Sequence, residues 1–557
     1  MRNLTKKLLS GVLLSTVAFS SVACGGVSGG GNGNKATLYV YSFTSGFGAE
    51  WLTSLIKDYE EKMKDVEIDG KVGLHIEPTP EKSDVAGSQM AGRQEVVYFL
   101  EQQDYYELLA GNYIADITSA VTSVNPYDGK TLESKMFEDQ KSYFGREVDG
   151  QMRYYAYPHY FTSFGIVYDI ELFDSKGYYL ADGYDVNGNL QDMFVGKEGW
   201  TKTAGPDGEK GTSDDGLPTT YEEFFLLCDY IAQVGNDNPL IWSGQFRDSY
   251  LTHFINALAT DYEGYEQMRL NFTFDGEATT LGKSVGGEFV QDSEGTVIDG
   301  TNGAELSRQA GKYYAMDFYE TLYNKSYIKD KENTLYSSTY SHLKAQEDFL
   351  KRGTTRNAML LDGSWWQMEA TSTFNAMGKI NSAYTKENRK LGWMPLPKQS
   401  AEKVDGTSTM YDIMYPLCVM KNGLDVNSWQ YKYALDFIQF ANSDEQLAKF
   451  TKITGCTKAL NYELSSTQYD ALTPFGKSFY DSYKNADIVF PYDNNLLFAN
   501  NQNVFKEIDD GNGSPLYKST AYSTCFVRGL EKGVASDTYY NGMYDYFKEL
   551  TIWKKAK

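Results

Sequence analysis

The residues of this sequence that could do chemistry fall into three groups. The first pairs aromatic side chains with short polar ones at the ends of apolar runs. Phe43 lies between Ser42 and Thr44, Phe99 precedes Glu101 and Gln102, Trp242 precedes Ser243 and then Arg247, and Trp365 and Trp366 follow Asp362, Gly363 and Ser364. His159 and Tyr160 join this set beside Pro158. A Trp or Tyr ring covers a flat apolar face, while carboxylates, amides and guanidinium groups meet hydroxyl edges, so the combination suits a sugar. Trp365 is the strongest stacking candidate because it closes an apolar strand, and its neighbour Trp366 is expected to face the other way. Each of these has a plainer alternative: a core ring, an ordinary ion pair for Arg247, a satisfied structural histidine for His159.

The second group is the acidic loop from Gly205 to Gly216, where Asp207, Asp214 and Asp215 are spaced by glycines that let the chain curl. Three carboxylates in such a loop offer hard oxygen ligands to a structural calcium ion, and a solvated acidic turn is the competing reading. The alternating acidic triplet and terminal Glu of an EF-hand are missing. No cofactor is required by any motif, since nucleophile-elbow, HExxH and phosphate-binding glycine patterns are absent. Four histidines, His75, His159, His253 and His342, are too scattered for a metal-capture cluster.

The third group is the N-terminus. Arg2, Lys6 and Lys7 precede an apolar run from Leu8 to Phe19, and Ser21-Val-Ala-Cys24 follows. This is similar to a bacterial lipoprotein signal (residues 1–23) in which Cys24 receives the lipid, with Ser21 standing where Leu is preferred. The run is short of the roughly 20 apolar residues a membrane-crossing helix needs. Residues 24–35, mostly Gly, Asn and Ser, then read as a flexible tether.

The elements that must position the first two groups alternate from Ala36 onward. Thr37–Phe43 reads as a strand, and Trp51–Met63 as a helix with Leu52, Leu55, Ile56 and Tyr59 on one face. Strands at Leu74–Ile76 and Val96–Leu100 and a helix at Asp104–Ala110 follow. Such alternation predicts a mostly parallel sheet covered on both faces, with ligands at the carboxyl ends of strands. Residues 180–218 and 276–303 read as insertions, the second a hairpin elaboration. Helices are expected over Tyr221–Val234, Ala304–Tyr327, Tyr340–Lys351, Trp429–Asn442 and Glu445–Lys452.

Length and composition bound the rest. A chain of 557 residues exceeds one hydrophobic core and fits two large lobes. A net charge of -23 argues against nucleic acid as a partner. Beyond Cys24, Cys228, Cys418, Cys456 and Cys525 form no CxxC pair and predict free thiols or at most one disulfide.

Several segments, in order, resemble the bacterial extracellular solute-binding proteins that serve carbohydrate ABC importers, the maltose-binding-protein type. They are Thr37-Leu-Tyr-Val-Tyr-Ser-Phe43, Glu95-Val-Val-Tyr-Phe99, Leu108-Leu-Ala-Gly-Asn-Tyr-Ile-Ala-Asp116, Tyr155-Ala-Tyr-Pro-His-Tyr160, Gly165-Ile-Val-Tyr-Asp169, Leu217-Pro-Thr-Thr-Tyr-Glu-Glu-Phe224, Ala358-Met-Leu-Leu-Asp-Gly-Ser-Trp365 and Gly392-Trp-Met-Pro-Leu-Pro397. The resemblance implies an α/β fold of two lobes of the periplasmic-binding-protein type II arrangement, with the ligand in the cleft between them. It implies one lobe from residues 36–157 plus about 412–458, a second from about 160–410 plus 460–557, and hinge crossings near Tyr157–Phe161, Asp412–Tyr415 and Gly455–Leu460. It further implies a non-enzymatic, monomeric protein on the cell surface, held to the outer face of the cytoplasmic membrane by lipid, that passes an oligosaccharide to ABC permease subunits. A surface glycan-active enzyme and the same fold binding a peptide or polyamine are the rival readings.

Overall fold

The computed structural model describes residues 35–557 apart from 102–103, 197–198, 326, 328–330, 415, 503–517 and 556–557. The lipoprotein signal, Cys24 and nearly all of the tether therefore lie outside the described residues, as does Gln102.

In chain order the strands of the two main sheets are β1 (Ala36–Phe43), β2 (Leu74–Glu81), β3 (Val97–Leu100), β4 (Ala156–Pro158), β5 (Phe164–Asp169), β6 (Asn238–Trp242), β7 (Asn357–Gly363), β8 (Leu391–Met394) and β9 (Leu417–Met420). The first sheet has the order β2-β1-β3-β9-β4, the second β6-β7-β5-β8. In the first, β1 runs parallel to β2 and β3, and β9 returns antiparallel between β3 and β4. In the second, β6 and β7 are parallel and β5 is antiparallel to both its neighbours. The chain thus builds most of one sheet, crosses after β4, builds the other, and crosses back to supply β9.

Central strands such as β3, β5 and β9 are buried at every position, which is why their sequences are continuous apolar runs rather than alternations. Helices α1 (Glu50–Met63), α2 (Arg247–Thr273), α3 (Ala310–Asn324), α4 (Trp429–Ala441), α5 (Asp444–Thr454), α6 (Pro474–Lys484), α7 (Phe526–Glu531) and α8 (Ser536–Phe547) cover the sheets. On α1 the residues Leu52, Leu55, Ile56, Tyr59 and Met63 face inward, as their spacing dictates. A capping box between Thr220 and Glu223 starts the helix Tyr221–Tyr230, fulfilling the Thr-Thr-Tyr-Glu-Glu pattern.

The helices expected over 221–234 and 304–327 each change character. The first widens into a π turn at Ile231–Gly235, and the second is a 3-10 turn at Gly303–Arg308 followed by α3. The loop-rich stretch after α2 forms two antiparallel hairpins, Gly276–Ala278 with Thr296–Ile298 and, nested inside, Gly282–Val285 with Glu288–Gln291. All four described cysteines are buried free thiols. No helix of the described residues is long and apolar enough to cross a membrane.

Candidate ligand-binding site

Three crossings join the lobes, and they are bonded to one another. His159 donates its amide to Pro416, Phe161 to Thr457, and Ile413 to Thr162. Tyr160 and Lys458 form an isolated antiparallel bridge. Asp412 accepts from both the amide and the hydroxyl of Thr162, at 3.1 and 2.7 Å. Burial pushes the Asp412 carboxyl up to about 7.

Trp365 sits where the lobes meet. Glycines flank its ring on two sides: a Cβ on Gly363 would lie 2.3 Å from the indole, and one on Gly46 would lie 3.3 Å from Trp365 Cβ and Cγ. Gly363 ends β7 in the second lobe, whereas Gly46 belongs to the loop after β1 in the first. The first lobe therefore rests its backbone on the indole of the second, and the two are closed at this point. Gly46 has φ +70°, a left-handed conformation that glycine adopts without a steric penalty. Tyr250, near the start of α2, presents its edge to Trp365 at 6.4 Å and packs on Phe164 and Phe246 at 5.1 and 5.7 Å.

Behind Trp365 lies a buried acidic pair. Gln346 donates its amide to Asp362 and to Glu369, both at 3.0 Å. Burial raises both carboxyls, and Asp362 raises Glu369 further. Two carboxylates sharing one amide in a low-dielectric site favour holding a proton between them.

Other sequence candidates land differently. Glu101 is buried at the end of β3 and accepts the Tyr160 hydroxyl at 2.7 Å. Phe43 is half-buried at the end of β1. His159 is buried with Nδ1 2.6 Å from Lys458 Nζ, and burial together with that lysine pushes its pKa well down. Lys458 is itself pulled down to about 7 by burial and lies against the rings of Phe450 and Trp51, 4.7 and 4.9 Å away.

Four candidates are engaged by packing or pairing within the protein. Phe99 is core, with Trp51 edge-on at 5.1 Å and His159 at 4.7 Å. Trp242 gives its indole N–H to Leu335 O and packs on Tyr336. Arg247 is spent on a forked pair with Glu531 at 2.7 and 3.3 Å and on Gly244 O. Trp366 is fully buried among Phe349, Phe374 and Phe475.

The carboxylates of the acidic loop are bonded within the loop itself. Asp214 accepts from the Asp207 amide and the Thr212 hydroxyl, Asp215 from the Gly211 amide, and Asp207 from the Glu209 amide. Each carboxylate caps its own turn, and among the described residues no group of three or more metal-ligating side chains converges.

Comparison with known proteins agrees with this geometry. No family model and no curated protein matches the sequence. Solved structures do. A chitin oligosaccharide binding protein aligns over 94% of this chain and 100% of its own at 14% identity, with a TM-score of 0.53. The GacH receptor of Streptomyces glaucescens, solved unliganded and with acarbose, aligns over 94% and 100% at 13% identity and 0.51. Maltose-bound MalE3 of T. maritima aligns over 92% and 99% at 14% identity and 0.51. The chain has the two-lobe fold of these binding proteins.

Within that two-lobe fold, sequence reasoning missed Tyr250 and Phe246. Both lie at the start of α2, which is buried on almost every side and so carries no amphipathic period to mark it. The Gly46 contact had a faint signal, a Thr-Ser-Gly-Phe-Gly run directly after an apolar strand.

Proposed function

We propose that this chain captures an oligosaccharide between its lobes outside the cell and delivers it to the permease of an ABC importer, anchored through a lipid on Cys24. The observation that carries the reading is Trp365, held between Gly363 of one lobe and Gly46 of the other. An aromatic plane at the meeting point of two hinged lobes can cover a sugar face, and a ligand touching both lobes favours the closed state by its differential contacts. The names of the structural relatives support a sugar as the ligand, since they are a chitin oligosaccharide binding protein, an acarbose-complexed receptor and a maltose-bound protein.

The test is a thermal-shift and calorimetric screen of the chain without its first 23 residues against chito-, malto- and xylo-oligosaccharides, peptides and polyamines, with chromatography of the recovered glycans. One glycan series should raise the melting temperature by mass action, Trp365→Ala should weaken it at least tenfold, and the glycan should come back intact. Cleaved glycan would establish the enzyme reading instead. A response to a peptide or polyamine alone would overturn the sugar and leave the fold standing.

A further inference from the structure

Outside the cleft, the second lobe contains a cavity of about 110 Å³ whose lining includes no residue of the first sheet or its helices. It lies beyond the edge strand β8, between α2, α6, the strand Ser408–Tyr411 and the acidic loop. On this measure one water needs roughly 10–15 Å³, so the space holds on the order of ten non-hydrogen atoms. That is the scale of one sugar ring.

The lining has two characters. Phe164, Trp393 and Tyr411 supply apolar wall, while Asp214 and Asp481 bring carboxyl groups. Against these stand polar groups with nothing to bond. The hydroxyls of Ser163 and Thr409, on residues only 3% and 6% exposed, and the indole N–H of Trp393, 4% exposed, make no hydrogen bond among the described residues. With no partner among the described residues, these groups are left to water or a ligand in the cavity they line.

We propose that this cavity is a second ligand site, taking a neutral, hydroxyl-rich molecule of about one sugar ring independently of the interlobe cleft. The lining decides the class. No Lys or Arg lines the cavity, and of the two other acids at its wall Asp261 is paired with Lys398 at 2.7 Å while Asp207 accepts the Glu209 amide. An anionic ligand would therefore meet only negative charge. An organic ammonium would suit the carboxylates, yet it offers donors alone and leaves the indole N–H without an acceptor. A sugar hydroxyl both donates and accepts, so it can answer the carboxylates, the two hydroxyls and the indole together, while the C–H face of the ring lies on the aromatic wall. Burial raises the Asp214 and Asp481 carboxyls, which makes the pocket less hostile to a neutral guest.

The test uses the chain without its first 23 residues and titrates D-glucose, D-galactose, D-xylose and N-acetyl-D-glucosamine by calorimetry, with cadaverine and glucose 6-phosphate as charged controls. At least one neutral monosaccharide should bind. Thr409→Val, which keeps the shape and removes the hydroxyl, should weaken it at least fivefold, Ser408→Trp should fill the mouth and abolish it, and Trp365→Ala should leave it unchanged. Should Ser408→Trp fail to fold, Thr409→Val and a crystal soaked with the monosaccharide carry the test. No binding by any neutral monosaccharide, meaning water alone fills the cavity, overturns the proposal. So does binding that survives Thr409→Val but is lost in Trp365→Ala, which places the sugar in the cleft, and so does binding of cadaverine alone.

Discussion

The Tyr160 hydroxyl donates to Glu101 at 2.7 Å, tying the first crossing between the lobes to the carboxyl end of β3. Both residues are buried, at 2% and 8% exposure, so the bond works in a medium where it is strong. A hydrogen bond to a charged group contributes about 1.5–3 kcal/mol. Tyr160→Phe should therefore lower the unfolding free energy in urea by about that amount. Glu101→Gln, whose amide oxygen still accepts, should cost less. No loss from Tyr160→Phe beside a loss from Glu101→Gln would show that the carboxylate's charge, and not its bond to Tyr160, is what matters.

The contact between Gly46 and Trp365 can be separated from backbone strain because Gly48 provides a control. Both glycines are left-handed, at φ +70° and +65°, but a Cβ on Gly48 meets nothing within 4 Å while one on Gly46 meets the indole. Gly46→Ala and Gly48→Ala should thus cost similar stability, about 1–2 kcal/mol each. Only Gly46→Ala should hold the lobes apart, seen as weaker glycan binding and a larger radius of gyration with ligand by small-angle scattering. Identical behaviour of the two variants would remove Trp365 from the closing contact.

How much of this was legible in the sequence depends on the range of the interaction. β1, β3 and β7 announce themselves as apolar runs, and α1 by its spacing, because each signal is local. The crossings came from the order of segments in a resemblance rather than from any residue's chemistry. What stayed hidden was long-range. Arg247 looks like a ligand contact at the end of β6 until Glu531, 284 positions away, takes its guanidinium. Trp366 is expected from the sequence to face away from Trp365, but its neighbours Phe349, Phe374 and Phe475 come from distant segments that nothing local marks. The second-lobe cavity joins segments from residue 163 to 485, and nothing local marks them as neighbours.

Asp412 makes the hinge sensitive to pH. Its folded pKa is raised from 3.8 to about 7, so between those values the folded chain holds a proton that the unfolded chain has lost. Stability from this group is therefore present in acid and falls as pH rises from about 4 to about 7. Asp412→Asn keeps an oxygen to accept from Thr162 and removes the charge. The variant should melt higher than the parent at pH 8, should match it near pH 4, and should show a shallower decline between. A parent whose stability rises with pH through that window, unless cancelled by the same slope in the variant, would mean that Asp412 is ionised in the fold.

Arg247 and Glu531 should behave as structure and not as ligand site. Their side chains are 6% and 16% exposed, and the pair pins α7 to the start of α2, where Arg528 adds a second bridge to Asp248 at 2.8 Å. Arg528 also bridges Glu531 at 3.3 Å, so removing Arg247 leaves that carboxylate one partner and some water, and the cost should be about 1–3 kcal/mol. Arg247→Leu should lower the melting temperature by that measure while glycan affinity changes less than twofold. The double variant Arg247→Leu with Glu531→Leu should recover part of the loss, because two apolar side chains can pack where two desolvated charges stood while Arg528 keeps Asp248. A large drop in affinity with unchanged stability would return Arg247 to the ligand and take the α2–α7 contact out of the account.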